Sequence, residues 1–274
     1  MFNRKELKER AKLVLFRSYS KVFLACFLVN ILSGGGIGFS ARKLQDVDIL
    51  SMPPQKIFAI FVIIVSLAVI GIALSIFAIQ PLQVGLKKFM TENAKSDAQL
   101  DLLLTPFGED YKNIVLAQFM KNLFIFLWSI PAYLPTVVLL IFSDKITPMI
   151  EGVYAGSVAA TAATIGVAVL WVVFTLLFSV PFIIKELQYS MVSYILADNP
   201  ATEWKSALSN SKEMMVGNKW EYVKLMLSFV PWYLAANLLC CIGGFLVMPY
   251  VEATVCEMYL ELSGKTPVNA EYEY

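Results

Sequence analysis

The chain has 274 residues, of which 58% are hydrophobic and only 16% are charged. A soluble domain averages about 25% charged residues, so this composition excludes an ordinary soluble domain and predicts one polytopic membrane domain. The formal net charge of +1 excludes the strongly basic surface expected of a protein that binds nucleic acid.

The N-terminal segment predicts a surface helix that leads into a first membrane span at residues 22–38. Its charged region is too long for a secretory signal, and no A-x-A cleavage site follows it, so we expect the span to be retained. The apolar and charged residues of this segment fall on opposite helical faces. The apolar face contains Leu7, Ala11, Val14 and Leu15, and the charged face contains Lys5, Lys8, Glu9 and Lys12.

Thirty consecutive residues, Ile57 to Leu86, contain no Asp, Glu, Lys or Arg. Because about 20 apolar helical residues cross the hydrocarbon core of a bilayer, this run predicts a second span at residues 57–81, and Pro81 is expected to bend its end. Further apolar runs, uncharged apart from Lys121, Lys224, Glu252 and Glu257, predict four more spans, at residues 114–142, 158–184, 223–239 and 242–260. A tight turn at Cys241-Ile242-Gly243-Gly244 is expected to separate the last two.

Two further apolar stripes precede the third and fifth spans. They are Leu100, Leu103, Leu104 and Phe107, and then Trp204, Leu208, Ser211 and Met215. For the second stripe, Asp198 or Asn199 is expected to be the helix N-cap, with Pro200 near the first turn and Gly217 beyond the end.

The predicted fold is therefore all-α and polytopic, with six transmembrane helices in three hairpins, each preceded by a cytoplasmic amphipathic helix. Residues 1–264 are predicted to form a single transmembrane domain, and residues 265–274 a short cytoplasmic tail. The alternative to a true threefold repeat is that any cytoplasmic connection beside a membrane has an amphipathic pattern.

The distribution of basic residues predicts the orientation. Of the 22 lysines and arginines, only Arg42, Lys43, Lys56 and Lys145 fall on one side of the predicted spans. Because cytoplasmic loops carry the excess of Lys and Arg, both termini are predicted to be cytoplasmic, in a multi-pass protein of the cell (cytoplasmic) membrane.

Glu252 is predicted to lie near the middle of the sixth span, with Glu257 about a turn and a half later. An ionisable group at this depth is a candidate functional site. A charged Glu252 would need a partner or water, whereas a protonated one could donate to a carbonyl, to Asn237 or to Asn30. The candidate polar cluster is therefore Glu252, Asn237, Asn30 and Glu257. Two interpretations stay open: a structural glutamate, or the polar lining of a cavity that faces the cytoplasm.

Signatures of catalysis are missing from the sequence. It contains no histidine, which excludes a Ser-His triad and an HExxH zinc site, and it has no GxxxxGK[ST] nucleotide motif. The four cysteines lie in apolar segments without a CxxC pair, so they imply neither a zinc set nor disulfides. We therefore predict no catalytic residue, no cofactor and no metal site.

The segment from Tyr189 to Pro200 resembles the uncharacterised bacterial membrane proteins grouped as domain-of-unknown-function family 975. The resemblance continues through the following residues and segments: Arg4 to Lys8, Ala11-Lys12, Ser211 to Met215, Gly217 to Trp220, Leu227 to Phe229, Trp232, Pro249-Tyr250 and Tyr259. Pro231 departs from the family pattern, so the bend in the fifth span is expected to differ. The resemblance covers nearly the whole chain and implies a multi-span protein, mostly from Gram-positive bacteria. It supplies no established activity and no functional residues.

Three hypotheses about function follow. The first is a non-enzymatic integral membrane protein, either a transport component or an envelope scaffold, in contact with the lipid bilayer. Partner membrane proteins and a homo-oligomer stay open. The second is an intramembrane lipid-processing enzyme that uses the carboxylates of Glu252 and Glu257. The third is a small-solute or ion pathway lined by Glu252, Asn237 and Asn30.

Overall fold

The computed structural model describes residues 2–35, 53–239 and 243–265, and these residues form helices, turns and coil without a strand. The α-helices are, in chain order, α1 (Arg4–Asn30), α2 (Pro54–Leu74), α3 (Gln80–Lys95), α4 (Tyr111–Ile141), α5 (Ser143–Tyr154), α6 (Val158–Gln188), α7 (Val192–Asp198), α8 (Trp204–Met214), α9 (Lys219–Leu227), α10 (Val230–Leu239) and α11 (Gly243–Leu262). Two π-helical turns, Ile31–Gly35 and Ser75–Ile79, and a 3₁₀ helix, Leu100–Phe107, complete the elements. The all-α fold class is confirmed.

The chain is divided into two compact units. Unit one contains Met1–Phe119 and Met191–Tyr274, and unit two contains Met120–Ser190. Of the predicted features, Cys241 and Ile242 in the turn before α11, and the tail beyond Lys265, lie outside the described residues.

Four helices of the described residues are long and apolar enough to cross a membrane: Arg4–Ser33, Gln55–Lys95, Tyr111–Ile141 and Val158–Asp198. They contain the first four predicted spans apart from residues 34–38 of the first and residue 142 of the third; residues 36–38 lie outside the described residues. The fifth predicted span is divided, since α9 ends at Leu227 and α10 begins at Val230. The sixth falls on α11, whose apolar sequence is interrupted by Glu252 and Glu257. The count of six spans stays a prediction.

The break between α9 and α10 has a local cause in Pro231. Proline has no backbone N–H, so it cannot donate to the carbonyl four residues earlier, and its ring crowds that carbonyl. Pro231 is the second residue of α10, a position near a helix start where a missing donor costs little. Proline at this position is the departure from the family pattern noted above, and the helix is interrupted just before it.

Helix α2 has no buried face. Every residue from 55 to 74 is exposed, including Phe58 at 67% and Leu67 at 62%. A helix that is hydrophobic on all sides is stable only when something apolar surrounds it, and a membrane span is the usual case. This exposure suggests that lipid covers α2.

A π-helical turn, Ser75–Ile79, joins α2 to α3 just before Pro81, and the bend expected at Pro81 stays a prediction. Pro81 cannot donate to the carbonyl of Phe77, its fourth predecessor. The hydroxyl of Tyr111 donates to that same carbonyl oxygen at 2.6 Å. The Tyr111 hydroxyl, from α4, therefore takes the place of the backbone N–H donor that the proline lacks.

Helix α1 combines the predicted surface helix and the first span, with a kink at Ser18 (φ −142°, ψ 29°). The Ser18 hydroxyl donates to the carbonyl of Val14 at 3.1 Å and accepts from Asn93 Nδ2 at 2.8 Å. Arg17 donates to the carbonyl of Asn93. The kink is thus the point at which α1 is joined to α3 by hydrogen bonds.

The core of unit one lies where α1, α3, α7 and α11 pack together. Its fully buried side chains include Leu7, Val22, Phe89, Leu196 and Met258. Leu7 and Ala11 of the first apolar stripe are completely buried, whereas Leu104 and Phe107 of the second are exposed at 64% and 42%. Leu208, Ser211 and Met215 of the third stripe are buried.

The predicted N-cap of the third stripe is wrong. Asp198 is the last residue of α7, Asn199 follows it as the C-cap, and α8 begins only at Trp204 after Glu203. The reason is that the Asp198 carboxylate accepts hydrogen bonds from Tyr259 and Lys265. It is therefore occupied by residues far along the chain. Gly217 does follow the end of α8, in the turn before α9.

Unit two contains most of α4 together with α5 and α6. The chain reverses between α5 and α6 at Gly156, whose φ of +78° is a conformation that glycine adopts without strain. Ser157 then caps α6 by accepting a hydrogen bond from the amide of Ala160 at 3.3 Å. No residue of α6 is buried, and its exposed apolar side chains include Val158 at 84% and Leu176 at 63%.

Candidate functional site

Glu252, the acidic residue singled out in the sequence, is paired with Lys87 of α3. The ammonium of Lys87 donates to Oε2 of Glu252, and their side chains are 17% and 18% exposed. Lys87 is the first residue after the uncharged run Ile57–Leu86. The structure thus provides Glu252 with a cation from the helix that continues the second span.

Aromatic rings hold Lys87 on its other side. Its Nζ lies 5.1 Å from the ring centroid of Tyr194, and that ring stacks on Tyr259 at 4.9 Å between centroids. Tyr194 is 1% exposed and Tyr259 is 2% exposed. A cation over a tyrosine ring is attracted by the negative face of the π system, most strongly where water is excluded. Lys87 is therefore positioned by both a carboxylate and an aromatic face.

The contacts continue from Tyr259 to the end of α11. The Tyr259 hydroxyl donates to Oδ2 of Asp198, and Lys265 Nζ donates to the same oxygen at 2.8 Å. Gly264, with φ +68°, turns the chain after α11, and the amide of Lys265 bonds back to the carbonyl of Leu260 at 2.9 Å. This turn brings Lys265 to Asp198.

We call these residues the polar seam. Its members are Glu252, Lys87, Tyr194, Tyr259, Asp198 and Lys265. On α11 its two members are seven residues apart, which is nearly two helical turns and places them on one face. On α7 its two members are four residues apart and again share a face. The polar seam therefore fastens α11 to α3 and to α7.

Asn30 and Asn237, the predicted neighbours of Glu252, have other hydrogen-bond partners. Asn30 Nδ2 donates to the carbonyl of Cys26 at 3.1 Å and lies 2.6 Å from Sδ of Met248. Asn237 Nδ2 donates to the carbonyl of Tyr233 within α10 at 2.8 Å. Among the described residues, the hydrogen bonds of these two amides do not reach Glu252.

Glu257 is buried, with 4% exposure, and its electrostatic partners are Arg10 and Glu261. Arg10 of α1 also donates to Glu6 and, at 3.3 Å, to Glu261. Five helical residues separate Glu252 from Glu257, which is a rotation of about 140°. The two carboxylates therefore face different helices, with Glu252 toward α3 and Glu257 toward α1.

Within residues 2–35, 53–239 and 243–265, no group of three or more Cys, Asp or Glu side chains is arranged to hold a metal ion. Cys26 and Cys256 are buried free thiols. The acidic groups of the polar seam have cationic or hydroxyl partners instead, which is the usual condition for charges that are largely removed from water.

The sequence interpretation missed Lys87, Tyr194 and Asp198 as partners of α11. One signal was available for Lys87, because it is the first charge after a long apolar run. Another was available for Tyr194 and Asp198, since an i, i+4 pair of polar residues on a mostly apolar helix shares one face. Neither signal identifies the partner, which in both cases is supplied by a distant part of the chain.

Comparison with models of known protein families finds a match to the family described as Protein of unknown function (DUF975), over residues 1–266. No curated protein matches the chain, and no solved structure does. The match covers the whole of the polar seam.

Proposed function

Since the chain belongs to the family described as Protein of unknown function (DUF975), its function has to be inferred from its own residues, and we propose that it is a non-enzymatic scaffold of the cytoplasmic membrane. The observation that carries this proposal is the Lys87–Glu252 ion pair. A carboxylate that is neutralised by a lysine in a helix interface links the two helices, because loss of either partner would leave a charge uncompensated. It is poorly suited to moving protons or attacking a substrate.

The position of the ion pair along the second span supports this function. Lys87 is the first charged residue after the uncharged run Ile57–Leu86, and a lysine near the end of a span can extend toward the membrane interface. A structural pair with Glu252 is consistent with this position.

The lipid-processing alternative needs two carboxylates that act on one substrate. Glu252 and Glu257 face different helices, and each already has a basic neighbour, Lys87 or Arg10. Paired acid–base chemistry requires both groups within reach of the same bond. The arrangement therefore weighs against this alternative.

The pathway alternative needs a polar lining formed by Glu252, Asn237 and Asn30. The amides of Asn237 and Asn30 donate to carbonyls of their own helices. This leaves the proposed pathway without a continuous set of polar groups, so we favour the scaffold over a transport component.

We include six spans in three hairpins and two cytoplasmic termini in this proposal. The last hairpin is supported by a close approach of α10 and α11, since a Cβ at Gly243 would lie only 2.0 Å from the carbonyl oxygen of Ala236. The excess of Lys and Arg on one side supports the orientation.

The ion pair provides the test of the scaffold. Glu252→Gln and Lys87→Met each leave one charge without its partner in a mostly buried interface, which costs about 3 kcal/mol. For a chain of this size, we expect each variant to lower the melting temperature of the detergent-purified protein by about 6–10 °C. The exchanged pair Lys87→Glu with Glu252→Lys should recover part of that loss. Glu213→Gln, at an exposed position of α8, is the matched control.

Lipid analysis of cells that carry the Glu252→Gln variant distinguishes the scaffold hypothesis from the enzyme hypothesis. We expect the membrane lipid profile to be unchanged in the Glu252→Gln strain and in a deletion strain. A Glu252→Gln protein that keeps its melting temperature but no longer forms a lipid product would contradict the scaffold and favour the enzyme. Solute flux in proteoliposomes that depends on Glu252 would favour the pathway instead.

A further inference from the structure

A cavity of about 590 Å³ lies between the start of α1 and α9. Its lining includes Arg4, Lys5 and Lys8 from α1, and Glu221 and Ser228 from the α9 region. Pockets of about 300–1,000 Å³ are the usual size for small ligands and for the polar parts of larger ones. The cavity is therefore large enough for a lipid headgroup.

The cavity has an excess of positive charge. Arg4 pairs with Glu221 at 3.2 Å, and Glu221 also accepts from Lys224 at 2.7 Å. The hydrogen bond from Lys224, with the added attraction of Arg4, holds the pKa of Glu221 below its usual range, so this single acid is already neutralised. Among the described residues, Lys5 and Lys8 have no ion-pair partner.

The rest of the site is preformed. Phe2 is buried with 5% exposure and so anchors the N-terminal end of the chain beside the cavity. Lys8 Nζ lies 4.5 Å from the ring centroid of Phe229, which fixes its ammonium at the cavity wall. The positive end of the α1 dipole lies at the same place.

Neighbouring aromatic residues place the cavity at the membrane surface. Trp220, next to Glu221 in the sequence, is 64% exposed, and Lys224 Nζ lies 5.7 Å from its ring centroid. Exposed tryptophan beside lysine is typical of the headgroup layer. Basic pockets at the cytoplasmic ends of membrane helices are suited to anionic lipid headgroups.

We propose that this cavity binds the phosphate of an anionic phospholipid of the cytoplasmic leaflet, with Lys5 and Lys8 as the main cationic contacts. The phosphate oxygens accept hydrogen bonds from the two ammonium groups, and the acyl chains lie along the apolar surface of the neighbouring helices. This site goes beyond the scaffold function, since it adds a ligand that neither the polar seam nor Glu252 contacts.

The test uses the full chain in zwitterionic detergent, with dioleoyl phosphatidylglycerol as the probe and dioleoyl phosphatidylcholine as the neutral comparison. The measurement is the rise in melting temperature as lipid is added, from which an apparent affinity follows. Each lysine near an anionic lipid contributes about 1 kcal/mol, so Lys5→Gln and Lys8→Gln should each weaken the affinity for phosphatidylglycerol about fivefold. Lys12→Gln is the matched control, because Lys12 belongs to the same helix but pairs with Glu9 at 2.8 Å, outside the cavity lining.

Three results would overturn the proposal. Equal stabilisation by phosphatidylglycerol and phosphatidylcholine would exclude a site for an anionic headgroup. An equal loss in the Lys12→Gln variant would show attraction to the whole basic helix and not to the cavity. Stabilisation by inorganic phosphate or glycerol 3-phosphate as strong as that by phosphatidylglycerol, and lost with Lys5→Gln, would assign the cavity to a soluble anion. Lys5 is exposed and has no ion pair within the part of the chain that the structure describes, so its variant is expected to fold.

Discussion

At the residue scale, the hydroxyl of Tyr111 replaces a hydrogen-bond donor that the helix backbone lacks. Pro81 leaves the carbonyl of Phe77 without its helical partner, and Tyr111 donates to it at 2.6 Å. An unsatisfied carbonyl away from water costs about 1–3 kcal/mol. Tyr111 also stacks on Phe107, with ring centroids 5.8 Å apart, and that contact does not need the hydroxyl.

Tyr111→Phe therefore isolates the hydrogen bond. We expect it to lower the free energy of unfolding by about 1–3 kcal/mol, measured as a lower melting temperature. In a Pro81→Ala background the helix regains its own donor to Phe77, so the same substitution should cost much less. An equal loss in both backgrounds would mean that the phenol stabilises something other than this carbonyl.

The candidate site could be predicted from the sequence only in part, for reasons visible at single residues. Glu252 is conspicuous because it interrupts an apolar helix, and that much is local. Its partner, Lys87, is 165 residues away along the chain, and helical periodicity carries no information on such pairs. Asp198 looks like a helix cap because a proline follows two residues later, but Tyr259 and Lys265 occupy its carboxylate.

At the element scale, the close contact of α3 with the 3₁₀ helix Leu100–Phe107 depends on Gly85. A Cβ at this position would lie 2.1 Å from the carbonyl oxygen of Leu103, which is far closer than atoms can approach without movement of the backbone. Glycine is thus required by packing here, within a regular helix. Gly71 of α2 is the natural comparison, since a Cβ there would contact nothing within 4 Å.

Gly85→Ala should lower the free energy of unfolding by about 1–3 kcal/mol, because α3 and the 3₁₀ helix must separate. Gly71→Ala should leave stability unchanged or raise it slightly, since alanine is the better helix former. Both variants are compared by melting temperature in the same detergent. Equal effects at the two positions would show that helix propensity, and not the contact with Leu103, decides the outcome.

The helices that could be predicted from the sequence are those whose long apolar runs are suited to contact with lipid. The charge-free runs within α2, α4 and α6 are long and mostly apolar, so their prediction as helices does not depend on knowing a partner. The division of the fifth predicted span at Ser228 and Phe229 depends on Pro231, which the sequence analysis noted without foreseeing a break. The kink at Ser18 depends on Asn93, a contact that no local pattern in α1 encodes.

At the scale of the whole molecule, the number of spans decides where the segment between α10 and α11 lies. With six spans it faces the outside, and with four it stays on the side of the termini. Two native cysteines of this segment, Cys240 and Cys241, can be labelled to show on which side of the membrane it lies. Both are outside the described residues. The other two cysteines, Cys26 and Cys256, are buried.

We expect a membrane-impermeant maleimide to label Cys240 and Cys241 in intact cells, in a variant that carries Cys26→Ala and Cys256→Ala. In a cysteine-free background, Lys145→Cys should also be labelled from outside, whereas Lys205→Cys should react only after the membrane is permeabilised. Labelling of Cys240 and Cys241 only after permeabilisation would contradict the six-span topology and leave four. Labelling of Lys205→Cys in intact cells would reverse the proposed orientation.

Helices α2 and α3 form one nearly continuous helix, Gln55–Lys95. Its first half has no buried side chain, and its second half makes specific contacts. In the first half no side chain touches a protein neighbour closely enough to be buried, so any apolar helix of equal length satisfies its surroundings. In the second half Gly85, Lys87 and Asn93 each have a specific partner. Residues of the first half can therefore be replaced without the loss of a specific protein contact. A fluorinated or photoreactive residue placed there would report on the surrounding lipid without disturbing the fold.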